Sequence, residues 1–79
     1  MKLPRNLSGK ELAIALCQDW DYSIVHQVGS HIILQTDSPF HQRIPIPAHG
    51  FLGIGTLNAI LRLIATHKGV HKQEIIDSL

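Results

Sequence analysis

Residues 22–47, YSIVHQVGSHIILQTDSPFHQRIPIP, decide the fold. The stretch 22–27 is rich in β-formers and runs into the turn pair Gly29-Ser30. Residues 31–36 read as a second strand, closed by Asp37-Ser38-Pro39. Residues 42–47 give a third. In it Ile44 and Ile46 share one face, while Pro45 and Pro47 take the other register and cannot donate to a ladder. That strand is therefore expected at a sheet edge, or paired on one side only. Short turns between the three imply an antiparallel meander. In the middle strand, alternation puts Ile32 and Leu34 toward the core and His31, Ile33 and Gln35 on the opposite face.

Outward from the strands, helical signals appear on both sides. Ser8-Gly9-Lys10-Glu11 is a capping box, in which Ser8 caps the Glu11 amide and Glu11 reaches back to the Ser8 amide. Leu7 and Leu12 stand at hydrophobic-staple positions, and Leu12, Ala15 and Leu16 follow at helical spacing, which predicts a helix over 8–18. Asp19 and Asp21 interrupt the pattern around Trp20. Downstream, Gly50, Gly53 and Gly55 predict a flexible loop carrying apolar residues. Thr56 is the expected cap of a second helix with Leu57, Ile60, Leu61 and Ile64 on one stripe, ended by Gly69 as a left-handed cap residue. Residues 70–79 form a last short helix with Ile75, Ile76 and Leu79 on its apolar side. To bury their stripes the helices must cover one sheet face, which gives a two-layer α+β domain.

The chain has 79 residues, enough for one domain spanning 1–79. A domain this short buries only roughly 60–65% of its unfolded surface, so the core is thin. Apolar residues at 44% and charged residues at 16% exclude a disordered chain. The single cysteine, Cys17, rules out an internal disulfide and any Cys-x-x-Cys site, a usage that fits a reducing cytoplasm. No apolar segment follows Met1 to Leu7 as a signal peptide requires. The longest apolar run, 12–17, falls far short of the roughly 18 residues of a membrane span. A soluble, cytoplasmic protein is the expectation. The net charge of +1 does not mark a nucleic-acid binder. The six histidines are more unusual, and His26, His31, His41 and His49 fall in the middle third.

Four pieces then occur in order: Ser-Gly-Lys-Glu-Leu at 8–12, Gly-Ser-His at 29–31 opening a strand, Pro-Ala-His-Gly at 47–50, and Gly-Thr-Leu-x-x-Ile-Leu-Arg at 55–62. In these the chain resembles the HicA toxin family, over nearly its whole length from Ser8 to Leu79. The resemblance implies a fold like a double-stranded-RNA-binding domain, α-β-β-β-α. It implies a ribosome-independent mRNA endonuclease without a cofactor, neutralised by a HicB-type antitoxin encoded beside it. The family's catalytic histidine follows Gly-Ser, which here is His31. The chain departs from the family pattern in three ways. Ile32 replaces a second histidine, Val28 stands where a basic residue usually precedes the glycine, and Phe51-Leu52-Gly53-Ile54 replaces a more basic loop.

The chemistry of RNA cleavage points to the same residue. RNA carries its own nucleophile, the 2′-hydroxyl, and histidine, with an ordinary pKa near 6.5, suits the removal of its proton without metal. The amides of Gly29 and Ser30 can contact a phosphate, since glycine lets backbone come close. The other reading of His31 is a surface histidine on a solvated strand face. His49, at the mouth of the glycine loop, is a candidate acid or phosphate contact, or a loop residue capping the turn. Lys10 and Arg62 can each hold a phosphate, Arg more specifically through its fork, or simply solvate a helix face. Phe51, Leu52 and Ile54 make the loop more apolar than a free loop should be, which suggests a partner surface or packing within the domain. His26 and His41 read as surface residues. His67 and His71 have the spacing of a helical zinc pair, but Gly69 should splay them and no thiol or carboxylate completes a set, so no metal is expected. Two functions remain open: an endoribonuclease toxin with His31 as general base or acid, and a non-catalytic RNA-binding or antitoxin-binding module on the same fold.

Overall fold

In a computed structural model, which describes residues 3, 4 and 6–79, the Ser8 hydroxyl accepts a hydrogen bond from the Glu11 amide and the Glu11 carboxylate accepts one from the Ser8 amide, both at 3.0 Å. This reciprocal cap opens helix α1 (Gly9–Asp19). The Ser8 contacts hold the Glu11 carboxyl below the usual carboxylate range. After α1 the chain turns at Asp21, whose φ is 62°, and the Tyr22 amide bonds back to the Leu16 carbonyl at 3.4 Å. Strand β1 therefore starts one residue later than alternation suggests, at Ser23–Val28, followed by β2 (His31–Thr36) and β3 (Gln42–Pro47).

The three strands form one antiparallel sheet in the order β1-β2-β3, so β3 is an edge, as its prolines require. The fold is α+β with the expected α-β-β-β-α order. Helix α2 (Ile54–Lys68) and a short α3 (Lys72–Asp77) complete it. Gly69 ends α2 in the left-handed region at φ 69°. The stripe Leu57, Ile60, Leu61 and Ile64 is buried, together with Leu12 and Leu16 of α1, Ile32 and Leu34 of β2, and Ile44 and Ile46 of β3. At roughly 1.5–3 kcal/mol for each fully buried aliphatic side chain, this shared core is what holds helices and sheet together. Among the described residues no helix is long and apolar enough to cross a membrane.

The glycine loop departs from expectation in two ways. Leu52 was expected at the loop surface beside Phe51 and Ile54, but it is a core residue, 9% exposed. Its amide donates to the Leu7 carbonyl at 2.8 Å, and Ser8 bridges Phe51, so the segment is pinned to the lead-in of α1. With the chain anchored there, α2 begins at once. Its first residue is Ile54, and its cap is Gly53, with no side-chain cap bond. Thr56, the expected cap, lies inside the helix.

Candidate functional site

The antiparallel register lays out the sheet face that the helices leave uncovered. His31 of β2 pairs with Val28 of β1 and Pro47 of β3. In the next row Ile33 stands between His26 and Pro45, and in the third Gln35 stands between Ser23 and Arg43. Paired residues share a face, so all nine project away from the core side that carries Ile32 and Leu34. His26, His31 and Arg43 are exposed, and Arg43 rests its Nε and Nη2 on Gln35 Oε1 at 3.0 and 2.9 Å.

His26 reaches this face through an irregularity. The register shifts between Ile24 and His26, leaving Val25 as an extra residue in β1. A β-bulge of this kind resets which side chains face which way. Unbroken alternation from Ile24, which pairs with Leu34, would have turned His26 toward the helices. The bulge puts His26 and Val28 on the His31 face instead. Among the described residues neither His26 nor His31 spends its ring on a hydrogen bond.

At the His31 end the hairpin is braced. Gly29 adopts φ 58°, meeting the need for a positive φ at the first position of a two-residue hairpin. The Gln27 side-chain Nε2 donates to the Gly29 carbonyl at 3.2 Å, and the Ala48 backbone N–H donates to the Ser30 carbonyl at 2.6 Å, which ties the turn to the end of β3. A shallow depression lies here, lined by Gln27, Gly29, Ser30, Ala48 and His49. An adjoining one, lined partly by the same Gln27 and Ala48, is bordered by Lys10. The fold thus gathers Lys10, Gly29, Ser30 and His49 around the end of the sheet that carries His31. Because Gln27 pairs with Ile32 on the helix side, these depressions lie round the corner from the open face rather than on it.

Arg62 is not part of this group. It borders a separate, mainly apolar depression with Phe40, His41 and Gln42, and Gln42 pairs with Thr36 at the opposite end of the ladder from His31 and Pro47. The six residues of β2 put about 17 Å between those ends. Burial of the Leu57-to-Ile64 stripe turns Arg62 to the flank of α2, so the structure places this phosphate-contact candidate apart from His31, at the end of the sheet nearer Arg43. Phe51 and Ile54 remain exposed at 67% and 50%.

The remaining histidines have structural places. His41 Nδ1 lies 2.9 Å from Asp37 Oδ1, and His67 is buried with Nε2–H donating to the Phe40 carbonyl at 2.7 Å. His71 precedes α3, with its backbone amide bonded to the Glu74 carboxylate at 2.8 Å. No three His, Cys, Asp or Glu side chains among the described residues stand close enough to share a metal ion. Lys68 is also occupied. Its Nζ bonds Thr36 Oγ1 at 3.1 Å and the Ser38 carbonyl, and sits 4.7 Å from the Tyr22 ring centre. Burial lowers the Lys68 pKa, partly offset by the Asp21 charge. Burial raises that of the Cys17 thiol, the reverse of what an activated nucleophile needs.

Two residues of the open face carry chemistry that the sequence reading did not assign, His26 and Arg43. Arg43 was visible in principle, since it alternates with Ile44 and Ile46. No protein family, curated protein or solved structure matches the chain.

Proposed function

We infer that this protein is a metal-independent endoribonuclease of the HicA toxin type, acting in the cytoplasm and restrained by a HicB-type antitoxin. The observation that carries the reading is the position of His31. It is an exposed, unengaged imidazole on a sheet face that no helix covers, immediately after the Gly29-Ser30 turn. A single RNA strand can lie across such a face, with Arg43 as a phosphate contact toward its far end. His31 acts as general base or acid. A base takes the proton of the 2′-hydroxyl as its oxygen attacks phosphorus, and an acid protonates the departing 5′-oxygen. The chemistry needs no bound metal because substrate and imidazole supply the nucleophile and the proton transfer.

Lys10, Gly29, Ser30 and His49 support the reading as a rim on which the neighbouring phosphate can rest, with exposed amides and one cation. Phe51 and Ile54, exposed apolar residues that closely follow His49 in the chain, form the proposed antitoxin contact. Incubation of purified protein with mRNA in EDTA, beside the His31→Ala variant, tests the assignment. Cleavage that depends on His31 upholds it.

One observation favours the second reading, a non-catalytic RNA-binding or antitoxin-binding module. Arg43 is the one Lys or Arg of the three rows across the open face, which is sparse for a surface that must grip a polyanion. A protein that binds RNA or antitoxin normally but leaves RNA intact would establish that reading instead.

A further inference from the structure

Cleavage by way of the 2′-hydroxyl moves two protons, and one imidazole accounts for one transfer. The 2′-oxygen loses a proton as it bonds to phosphorus, and the 5′-oxygen gains one as the P–O5′ bond breaks. We propose that His26 is the second acid/base group, paired with His31 across the open face of the sheet. This rests on the endoribonuclease reading given above.

The placement is specific. His26 pairs with Ile33, two residues along β2 from His31, so the two histidines are diagonal neighbours on one face. Diagonal neighbours on adjacent antiparallel strands stand about 7–8 Å apart, somewhat less between Cβ atoms. Two rings rooted at that separation can each come within hydrogen-bond reach of one of two oxygens on the same phosphorus, one on either side of it. Both side chains are exposed, and neither is committed to a partner among the described residues.

The bulge strengthens the case. It interrupts the ladder in an edge strand where Ile24 and Val25 stand 54% and 39% exposed, an arrangement unfavourable for packing. Its consequence is that His26 joins His31. His49 is the competing candidate, but the depression it borders lies toward the helix side of the sheet end and does not include His31.

The step balances as follows. One neutral imidazole of the pair accepts the 2′-hydroxyl proton while the 2′-oxygen forms a bond to phosphorus. The P–O5′ bond breaks with its electron pair on the 5′-oxygen, which takes a proton from the other, protonated imidazole. The products are a 2′,3′-cyclic phosphate and a 5′-hydroxyl, and proton exchange with water restores the pair.

The test compares the wild-type protein, His26→Ala, His26→Gln and His31→Ala in EDTA on two oligonucleotides. One has an ordinary scissile linkage and the other a sulfur in place of the bridging 5′-oxygen. Because a thiol ionises near pH 8.5, the thiolate departs without help from an acid. On the ordinary linkage, each histidine variant should lose roughly 10²- to 10⁴-fold in rate. On the sulfur linkage, one of the two positions and only one should recover to near the wild-type rate, which identifies it as the acid. Recovery at neither position on the sulfur linkage, or no loss at position 26 on the ordinary linkage while His31→Ala is inactive, overturns the pairing and leaves the His31 assignment standing. Unaltered denaturation midpoints in the two His26 variants tie any loss to chemistry rather than folding. Failure of the wild-type protein to cleave either oligonucleotide removes the pairing and the function together.

Discussion

Gly9 packs so tightly on the end of β3 that a Cβ built on it would stand 1.7 Å from the Pro47 carbonyl oxygen and 3.3 Å from the Ala48 Cα. The obstructing atoms are backbone, so no side-chain rotation can relieve the contact. The first turn of α1 therefore rests directly on the strand end whose Pro47 pairs with His31. This contact links the capping-box sequence at 8–11 to the candidate site, and it explains why the second residue of that box is glycine.

Gly9→Ala should accordingly cost at least ~1–3 kcal/mol, the range for forced overpacking, because helix and strand end must separate. Urea unfolding checks this. A midpoint equal to the wild-type value would mean that α1 starts farther from β3.

Leu52 and Phe51 are adjacent, yet their substitutions should behave in opposite ways. Leu52→Ala removes a core side chain and should destabilise the fold by roughly 2–4 kcal/mol. Phe51→Asp, at a surface position, should change stability within about 0.5 kcal/mol and weaken binding of the proposed antitoxin more than it weakens the proposed RNA cleavage. Thermal unfolding and calorimetry on the purified pair separate the two effects. Antitoxin affinity unaltered by Phe51→Asp would place the interface elsewhere.

These two neighbours also show how far the sequence could be read. The order of elements, the bounds of β2 and β3 and the stripe on α2 follow from local periodicity and turn chemistry, which act over a few residues. The fates of Phe51 and Leu52 do not, because they are set by the hydrogen bond from the Leu52 N–H to the Leu7 carbonyl and the core it closes, contacts between distant segments. The same division holds at the site. His31 is legible from the Gly-Ser turn and the alternation of β2. His26 is hidden, since period 2 groups it with Tyr22 and Ile24, and only the pairing of β1 with β2 reveals the extra residue at Val25. Arg62 is legible from its motif as a phosphate-contact candidate, but its distance from His31, about the length of β2, is set by the register of the sheet.

Tyr22 gives a pH prediction. Burial pushes its phenol up to about 12 from an ordinary value near 10, so the folded state holds its proton where the unfolded state has lost it. This contribution to stability is fully present below pH 10 and is lost as the pH rises from about 10 through 12. Tyr22→Phe has no proton to lose. Its denaturation midpoint should fall less steeply across that window than that of the wild-type protein, measured by urea titration at stepped pH. Parallel slopes would show that the phenol is accessible to water.

RNA affinity should depend on few charges. With about two to four phosphates neutralised, log K should fall against log salt with a slope of roughly −1.5 to −3 for a single strand. Fluorescence anisotropy on a short RNA measures it. A slope steeper than about −5 would require a basic surface beyond Arg43 and Lys10.

The central claim is that His31 cleaves RNA by acid/base chemistry, and one comparison tests it most directly. Wild-type protein and His31→Ala, shown by circular dichroism to be equally folded, are incubated with the same mRNA in EDTA and the new ends are analysed. Cleavage by the wild-type protein alone, leaving a 2′,3′-cyclic or 3′-phosphate and a 5′-hydroxyl, is the predicted result. Undiminished cleavage by the variant, or activity abolished by EDTA and restored by Mg²⁺ or Zn²⁺, would contradict it.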